Sequence, residues 1–117
     1  AAVDPPIDDP MEHAPAPDEQ FDLVVTSMVL HHVRDLPTVL TRFAALLRPG
    51  GHLCIADLDR EDGSFHQHDF DGHHGFDRAE LSKALMVAGF GSVQLVDCTT
   101  ILKEGVTYQV FLATARR

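Results

Sequence analysis

Two segments of the sequence carry side chains whose types and positions are suited to proton transfer or to metal binding. Asp57 lies near the end of an apolar run, residues 52–58, which is typical of a buried strand. A carboxylate at such a strand end could accept a proton from a substrate hydroxyl or amine, or could accept a hydrogen bond from a backbone amide. The sequence alone favours the second, structural role.

The second segment, residues 59–75, is rich in side chains that can bind metal ions. It contains His66, His68, Asp69, Asp71, His73 and His74. These residues form neither the i, i+4 histidine pair of zinc proteases nor a C-x-x-C motif. The sequence therefore predicts no built metal site, and a metal-binding or pH-sensing loop stays the weaker alternative.

Composition limits the classes of protein to which the chain can belong. Its 117 residues suffice for one domain, and a hydrophobic fraction of 44% is typical of a packed fold. The net charge of -9 argues against a nucleic-acid-binding surface, and no apolar run is long enough to cross a membrane. The two cysteines, Cys54 and Cys98, lie in apolar runs, which indicates a reduced, cytoplasmic protein.

The composition changes near residue 20. Residues 1–20 hold five of the seven prolines and six acidic residues, with no Lys or Arg. Proline removes backbone donors and disfavours helix in the residue before it. We therefore expect a Pro/Asp-rich arm or loop over residues 1–20 and a folded part over residues 21–117.

Apolar patterning in the folded part predicts alternating strands and helices. Asp35 and Asp77 are placed to cap the amino termini of two helices, which Pro49 and Gly89 help to end. Short apolar runs predict four strands, at residues 23–26, 52–58, 93–98 and 107–114.

The connections between these strands predict an α/β fold with a partial doubly wound sheet and helices on its faces. Helices join the first three strands, which should therefore be parallel. Only about eight residues, 99–106, precede the last strand, which is too few for a crossover helix, so this strand should be antiparallel. We predict the spatial order first, second, fourth, third, because the last strand is almost wholly apolar whereas Gln94 and Asp97 suit an edge.

Three motifs in the folded part of the chain resemble those of class I S-adenosylmethionine-dependent methyltransferases. They are FDLVVTSMVLHHV at residues 21–33, LRPGGHL at 47–53 and AGF at 88–90. Two further segments, EDGSFH at 61–66 and HHGFDRAEL at 73–81, are similar to a branch of that family. The resemblance covers roughly residues 17–115 and implies the same mainly parallel sheet with an antiparallel final strand.

The resemblance also implies which residues contact the cofactor and the substrate. The loop after the first strand would contact the methionine part of S-adenosylmethionine, which assigns Ser27 and Met28 to cofactor binding and His31 to catalysis. Asp57 is the second catalytic candidate, and Asp9 would match the family's acidic residue near the adenine ring. The alternative is that His31 or His32 only caps the strand end and meets solvent.

The chain departs from the family in one respect. A complete member begins with a strand and a glycine-rich turn that lets the backbone approach the cofactor, followed by an acidic residue for the ribose. The only G-x-G here, residues 89–91, closes a helix instead. The sequence therefore resembles a truncated domain, its carboxyl-terminal half, and we expect weak or absent binding of S-adenosylmethionine by this chain alone.

The function that the resemblance implies is methyl transfer to an unknown acceptor, either a small molecule or a protein side chain. No nucleic-acid or membrane partner is expected. The Phe21–Ser27 strand would lack a neighbour. We therefore expect a homodimer through this edge, or cover of the edge by the chain's own residues 1–20, or a second chain that supplies the missing half. The alternative is a non-catalytic truncated or split half that acts as an association module.

Overall fold

A computed structural model of the protein describes residues 19–66 and 72–117, which form a mixed sheet with two α-helices. The predicted arm lies outside these residues except for its last two. No helix in the described part is long and apolar enough to span a membrane. The elements are β1 (Phe21–Ser27), a 3₁₀ turn (Leu30–His32), α1 (Leu36–Leu46), β2 (Leu47–Leu58), α2 (Arg78–Val87), β3 (Gly91–Lys103) and β4 (Val106–Arg116).

The order of strands in the sheet is β1-β2-β4-β3, as predicted. β1 and β2 are parallel, whereas β4 is antiparallel to both of its neighbours, β2 and β3. Three strands therefore share one direction and only the last is reversed, which confirms the predicted fold class. Because β1 and β2 are parallel neighbours, their carboxyl ends meet at the same edge of the sheet.

The strands are longer than predicted. The β-branched residues 99–101, which we expected in a loop, continue β3 and pair with β4. The connection shrinks to Glu104 and Gly105, whose φ angles of 50° and 79° are typical of a type I′ hairpin turn. β2 likewise begins at Leu47, directly after α1.

Both predicted helix caps are present. The Asp35 carboxylate accepts a hydrogen bond from the Thr38 amide at 3.3 Å, and Asp77 accepts one from the Glu80 amide at 3.0 Å. Gly89, with a φ of 105°, follows α2 in the left-handed conformation that ends many helices. Each such amino-terminal cap contributes about 1 kcal/mol.

The main core lies between the sheet and the two helices, which contribute to the same cluster of buried side chains. Alternate residues of β2 and β4 contribute to it, and the residues between them are half-buried or, like His52, exposed. A second, smaller cluster contains Leu58, Tyr108 and Val110, with Met28 and Phe65 packed against it. This second cluster lies where β2 ends and so supports the loops that follow β1 and β2.

The polar segment after β2 returns to the strand end from which it starts. Asp59 forms an isolated parallel bridge with Phe76. A Cβ atom on Gly75, which has a φ of 76°, would lie 2.0 Å from the Asp59 carbonyl oxygen, so only glycine fits there. Arg78 binds both Asp59 carboxylate oxygens at 2.8 Å and Asp97 at 2.7 Å, and these carboxylates raise the pKa of Arg78 above its usual value.

Candidate active site

A tight turn follows β1 at the edge where the two parallel strands end. Met28 has a φ of 58°, which side-chain-bearing residues rarely adopt, and its amide donates to the Ala56 carbonyl at 2.8 Å. Backbone of this kind costs about 1–3 kcal/mol and is frequent at functional sites. The turn leads directly into the 3₁₀ turn, which carries His31 and His32.

His31 and Asp57 form a buried pair at this edge. The His31 Nδ1 atom lies 2.7 Å from the Asp57 Oδ1 atom, and the two residues are 1% and 0% exposed. The Asp57 carboxylate also accepts hydrogen bonds from the His31 amide at 3.2 Å and from the Leu58 amide at 2.7 Å. Because a buried carboxylate is costly unless its oxygens are paired, these three contacts explain why Asp57 is tolerated in the core.

The pairing decides which nitrogen of His31 is available for chemistry. The Nδ1 atom donates its hydrogen to Asp57, so Nε2 carries the lone pair in the neutral imidazole. A carboxylate that holds a histidine in one tautomer and orientation is the arrangement that general bases use in several hydrolases. The pair can therefore accept a proton at Nε2, or bind a Lewis acid there.

Two further histidines surround His31. Its ring centroid lies 4.2 Å from that of His32 and 5.4 Å from that of His66, and the latter two are also 5.4 Å apart. One ring nitrogen from each residue lies within 4.8 Å of those of the other two. The sequence does not reveal this cluster, because His66 is distant in the chain from His31 and His32 and no ligand-spacing motif joins the two segments.

The segment that carries His66 is held by several contacts. The Glu61 carboxylate accepts hydrogen bonds from the Gly63 amide at 2.8 Å and the Phe65 amide at 3.2 Å. The Ser64 hydroxyl lies 2.6 Å from that of Tyr108, and the Phe65 ring packs edge-on against the Tyr108 ring with centroids 5.1 Å apart. Lys103 lies over the Phe65 ring and donates to the Phe65 carbonyl. This segment is thereby bound to β3 and β4.

The structure brings together the two catalytic candidates of the sequence, His31 and Asp57. The alternative in which His31 meets solvent is wrong, because the residue is buried. Ser27 ends β1 with an exposed side chain, and Met28 begins the turn half-buried. Asp9 lies outside the described residues. His68 and the two aspartates of the same loop also lie outside them.

The comparisons with known proteins agree with this fold. A family model described as a methyltransferase domain matches residues 1–95. The chain belongs to the methyltransferase domain family. The resemblance that the FDLV, LRPGG and AGF motifs indicated is thereby confirmed.

Three similar proteins illustrate the relationship. An uncharacterized methyltransferase of Schizosaccharomyces pombe is 45% identical over 47 residues, which are 40% of this chain and 16% of that protein. A SAM-dependent methyltransferase of Thermotoga maritima has 19% identity and a TM-score of 0.64, over 85% of this chain and 57% of that one. The 1,6-didemethyltoxoflavin-N1-methyltransferase of Burkholderia thailandensis was solved with bound 1,6-didemethyltoxoflavin and S-adenosylhomocysteine. It has 28% identity and a TM-score of 0.58, over 84% of this chain and 44% of that one.

The chain is shorter than these proteins. The segment that it shares with the Schizosaccharomyces pombe protein spans about a sixth of that protein, and the chain covers little more than half of the Thermotoga maritima enzyme. The family match over residues 1–95 includes the residues at the ends of β1 and β2.

We predict that the buried contacts of Asp57 stabilise the fold far more than an exposed ion pair does. Replacement of Asp57 by alanine leaves three buried donors without their acceptor and should lower the free energy of unfolding by about 3–5 kcal/mol. The matched control is Asp22→Ala, because Asp22 is 83% exposed in its ion pair with Arg48. Loss of that pair should cost less than about 1 kcal/mol. Urea unfolding followed by circular dichroism measures both, and equal losses would contradict the prediction.

Proposed function

We propose that this chain forms the acceptor-facing part of a methyltransferase domain that transfers a methyl group from S-adenosylmethionine to a small molecule or a protein side chain. The observation that carries the proposal is the buried His31–Asp57 pair at the carboxyl ends of β1 and β2. In open α/β sheets, ligands bind beyond the carboxyl ends of the strands. Family membership supports methyl transfer as the reaction.

S-adenosylmethionine supplies an electrophilic methyl group on its sulfonium. The exposed Ser27 side chain and the turn at Met28 fit the methionine end of this molecule, because both lie at the end of β1. Alignment of the acceptor with the methyl group supplies much of the rate enhancement, up to about 7–11 kcal/mol of the barrier. The residues of this chain then have two tasks, to orient the acceptor and to remove its proton.

His31 is the proposed catalytic base. Its Nε2 atom accepts the proton that an acceptor hydroxyl or amine loses as the new bond to the methyl carbon forms. Asp57 is a positioning residue, since it holds Nδ1 at 2.7 Å and so leaves Nε2 as the ring atom that accepts the proton. A group that is correctly placed for such a transfer contributes about 10²–10⁴-fold in rate.

The surroundings of His31 favour a flat or partly apolar acceptor. The ring of Phe65 packs edge-on to His31 with centroids 6.2 Å apart, and Met28 lies in the same small apolar cluster as Tyr108. The Burkholderia thailandensis relative, solved with 1,6-didemethyltoxoflavin, provides an example of a small-molecule acceptor in this family. A net charge of -9 disfavours a nucleic-acid acceptor.

A second candidate function, an association module, is favoured by one observation on β1. This strand is at the edge of the described sheet, and its Leu23 and Val25 side chains are 54% and 64% exposed. An apolar edge strand of this kind is a template for pairing with another strand. A second copy of the chain, or a chain that supplies the glycine-rich unit, would cover this edge.

The proposed base is tested in the protein encoded by the complete reading frame that contains this sequence, assayed with labelled S-adenosylmethionine. We expect His31→Gln to lower kcat by about 10²–10⁴-fold. Asp57→Asn should lower kcat with little change in KM. The control His52→Gln alters an exposed histidine of β2 and should leave kcat unchanged. Full activity in His31→Gln would refute the role of His31.

The chain by itself should bind S-adenosylmethionine more weakly than about 1 mM, which corresponds to roughly -4.1 kcal/mol. The described residues offer contacts only to the methionine end, and each hydrogen bond there contributes about 0.5–1.5 kcal/mol. Two or three such bonds do not offset the loss of freedom on association, commonly about 4 kcal/mol or more. Titration calorimetry on the chain measures this affinity. Micromolar binding would contradict the expectation and would mean that residues 1–18 or a second copy complete the pocket.

The edge of β1 should mediate self-association of the chain. Val25→Lys places a charge on the exposed edge strand and should shift the mass measured by light scattering from dimer to monomer. Val96→Lys is the matched control, because Val96 is 51% exposed on β3, the opposite edge strand. A monomeric wild-type chain with fast amide exchange in β1 would contradict pairing at this edge.

A further inference from the structure

Three imidazole rings meet at the site although they come from two separate segments. His31 and His32 lie in the 3₁₀ turn after β1, and His66 lies in the segment that follows β2. One ring nitrogen of each lies within 4.8 Å of the other two. We propose that these three histidines form a binding site for a divalent transition-metal ion, of which Zn²⁺ fits best.

The ligand set decides which metals suit the site. Imidazole nitrogens favour zinc, copper, nickel and iron, whereas magnesium and calcium require oxygen ligands. Three histidines and one open position form the ligand set of several catalytic zinc centres. Zinc is not redox-active, so a site of three histidines needs no additional redox-active group.

The geometry requires only a small rearrangement. Nitrogens bound to a tetrahedral zinc at about 2.0–2.1 Å lie roughly 3.3–3.4 Å from one another. The nitrogens of the cluster, within 4.8 Å, must therefore approach by about 1.5 Å at most. Rotation of the half-buried His32 and His66 rings provides this movement, while His31 is held in place by Asp57.

Asp57 would prepare His31 for the metal. A ligating histidine usually donates its other ring N–H to a carboxylate, which fixes the ring orientation and raises its basicity as a ligand. The 2.7 Å contact between the His31 Nδ1 and the Asp57 Oδ1 atoms is this arrangement, and it assigns Nε2 to the metal. The negative charge of Asp57, buried beside the imidazole of His31, also offsets part of the charge of the ion.

The segment that supplies His66 is held firmly enough to keep the third ligand near the others. The Glu61 carboxylate binds the Gly63 and Phe65 amides, and Phe65 packs on Tyr108 of β4. Little conformational freedom would therefore be lost when the ion binds. The net charge of -9 further favours the approach of a cation.

Metal binding by these residues does not depend on methyl transfer, but the two uses of His31 exclude each other. Its Nε2 atom has one lone pair, so an imidazole that ligates zinc cannot accept the proton of an acceptor. Zinc should therefore compete with the proton for this atom of the proposed base.

The test is a zinc titration of the untagged chain in competition with a chromophoric chelator. We expect one Zn²⁺ per chain and no binding of Mg²⁺. His32→Gln and His66→Gln should each weaken zinc binding tenfold or more, and Asp57→Asn should weaken it by about 10–100-fold. The matched control His52→Gln removes an exposed histidine outside the cluster and should bind zinc as the wild type does.

A second measurement does not require any variant to fold. In ¹⁵N-histidine NMR of the wild-type chain, zinc should shift the Nε2 resonance of His31 while Nδ1 keeps its hydrogen. Zinc affinity that is unchanged in folded His32→Gln and His66→Gln, with no shift at His31, would mean adventitious binding elsewhere and would overturn the proposal. Loss of zinc binding in His32→Gln and His66→Gln would support the metal site. Retained methyl transfer by the same two variants of the protein encoded by the complete reading frame would leave the proposed function intact.

Discussion

A buried carboxylate determines how the functional edge of this protein is built. Asp57 has no exposed surface, so each of its oxygens needs hydrogen-bond donors from within the protein. It obtains them from the imidazole and amide of His31 and from the Leu58 amide. The contact fixes the turn after β1 against the end of β2, and the orientation of the imidazole follows from it.

The other elements of the fold keep this contact in place. Parallel pairing brings the ends of β1 and β2 to one edge, and the central β4 gives β2 a neighbour on its other side. Gly75 lets the segment after β2 return to within contact of the Asp59 backbone, and Arg78 ties that segment to β3 through Asp59 and Asp97. The segments that carry the histidine cluster are therefore held by contacts with the parallel pair β1 and β2 and with the antiparallel pair β3 and β4.

Methyl transfer and metal binding make different demands on the same imidazole. A base needs a neutral ring whose Nε2 atom reaches the acceptor, and a zinc ligand needs the same atom directed at the ion. Asp57 serves both demands because it binds Nδ1 in either case. The neighbouring His32 and His66 serve only the second demand, and so they separate the two functions experimentally.

The sequence by itself determined the kinds of element and their connections. Helix caps at Asp35 and Asp77 are local hydrogen bonds, so the spacing of a few residues suffices to predict them. The place of β4 between β2 and β3 followed from the short connection and from the apolar character of the strand, and the methyltransferase motifs implied that His31 and Asp57 lie near the site. The lengths of β3 and β4 were underestimated, since pairing between strands extends a β-branched run that local patterning assigns to a loop.

Only the tertiary structure decided that His31 and Asp57 bind each other and that His66 joins the two histidines of the 3₁₀ turn. These residues lie 26 or more positions apart, and contacts over such separations depend on strand register and on the path of the returning loop. No pattern in the sequence encodes the distance between two side chains that are brought together by different strands. The burial of His31 also depends on tertiary contacts. A histidine at a strand end meets solvent unless another segment packs over it, and here Phe65 and His66 of the segment after β2 contact His31.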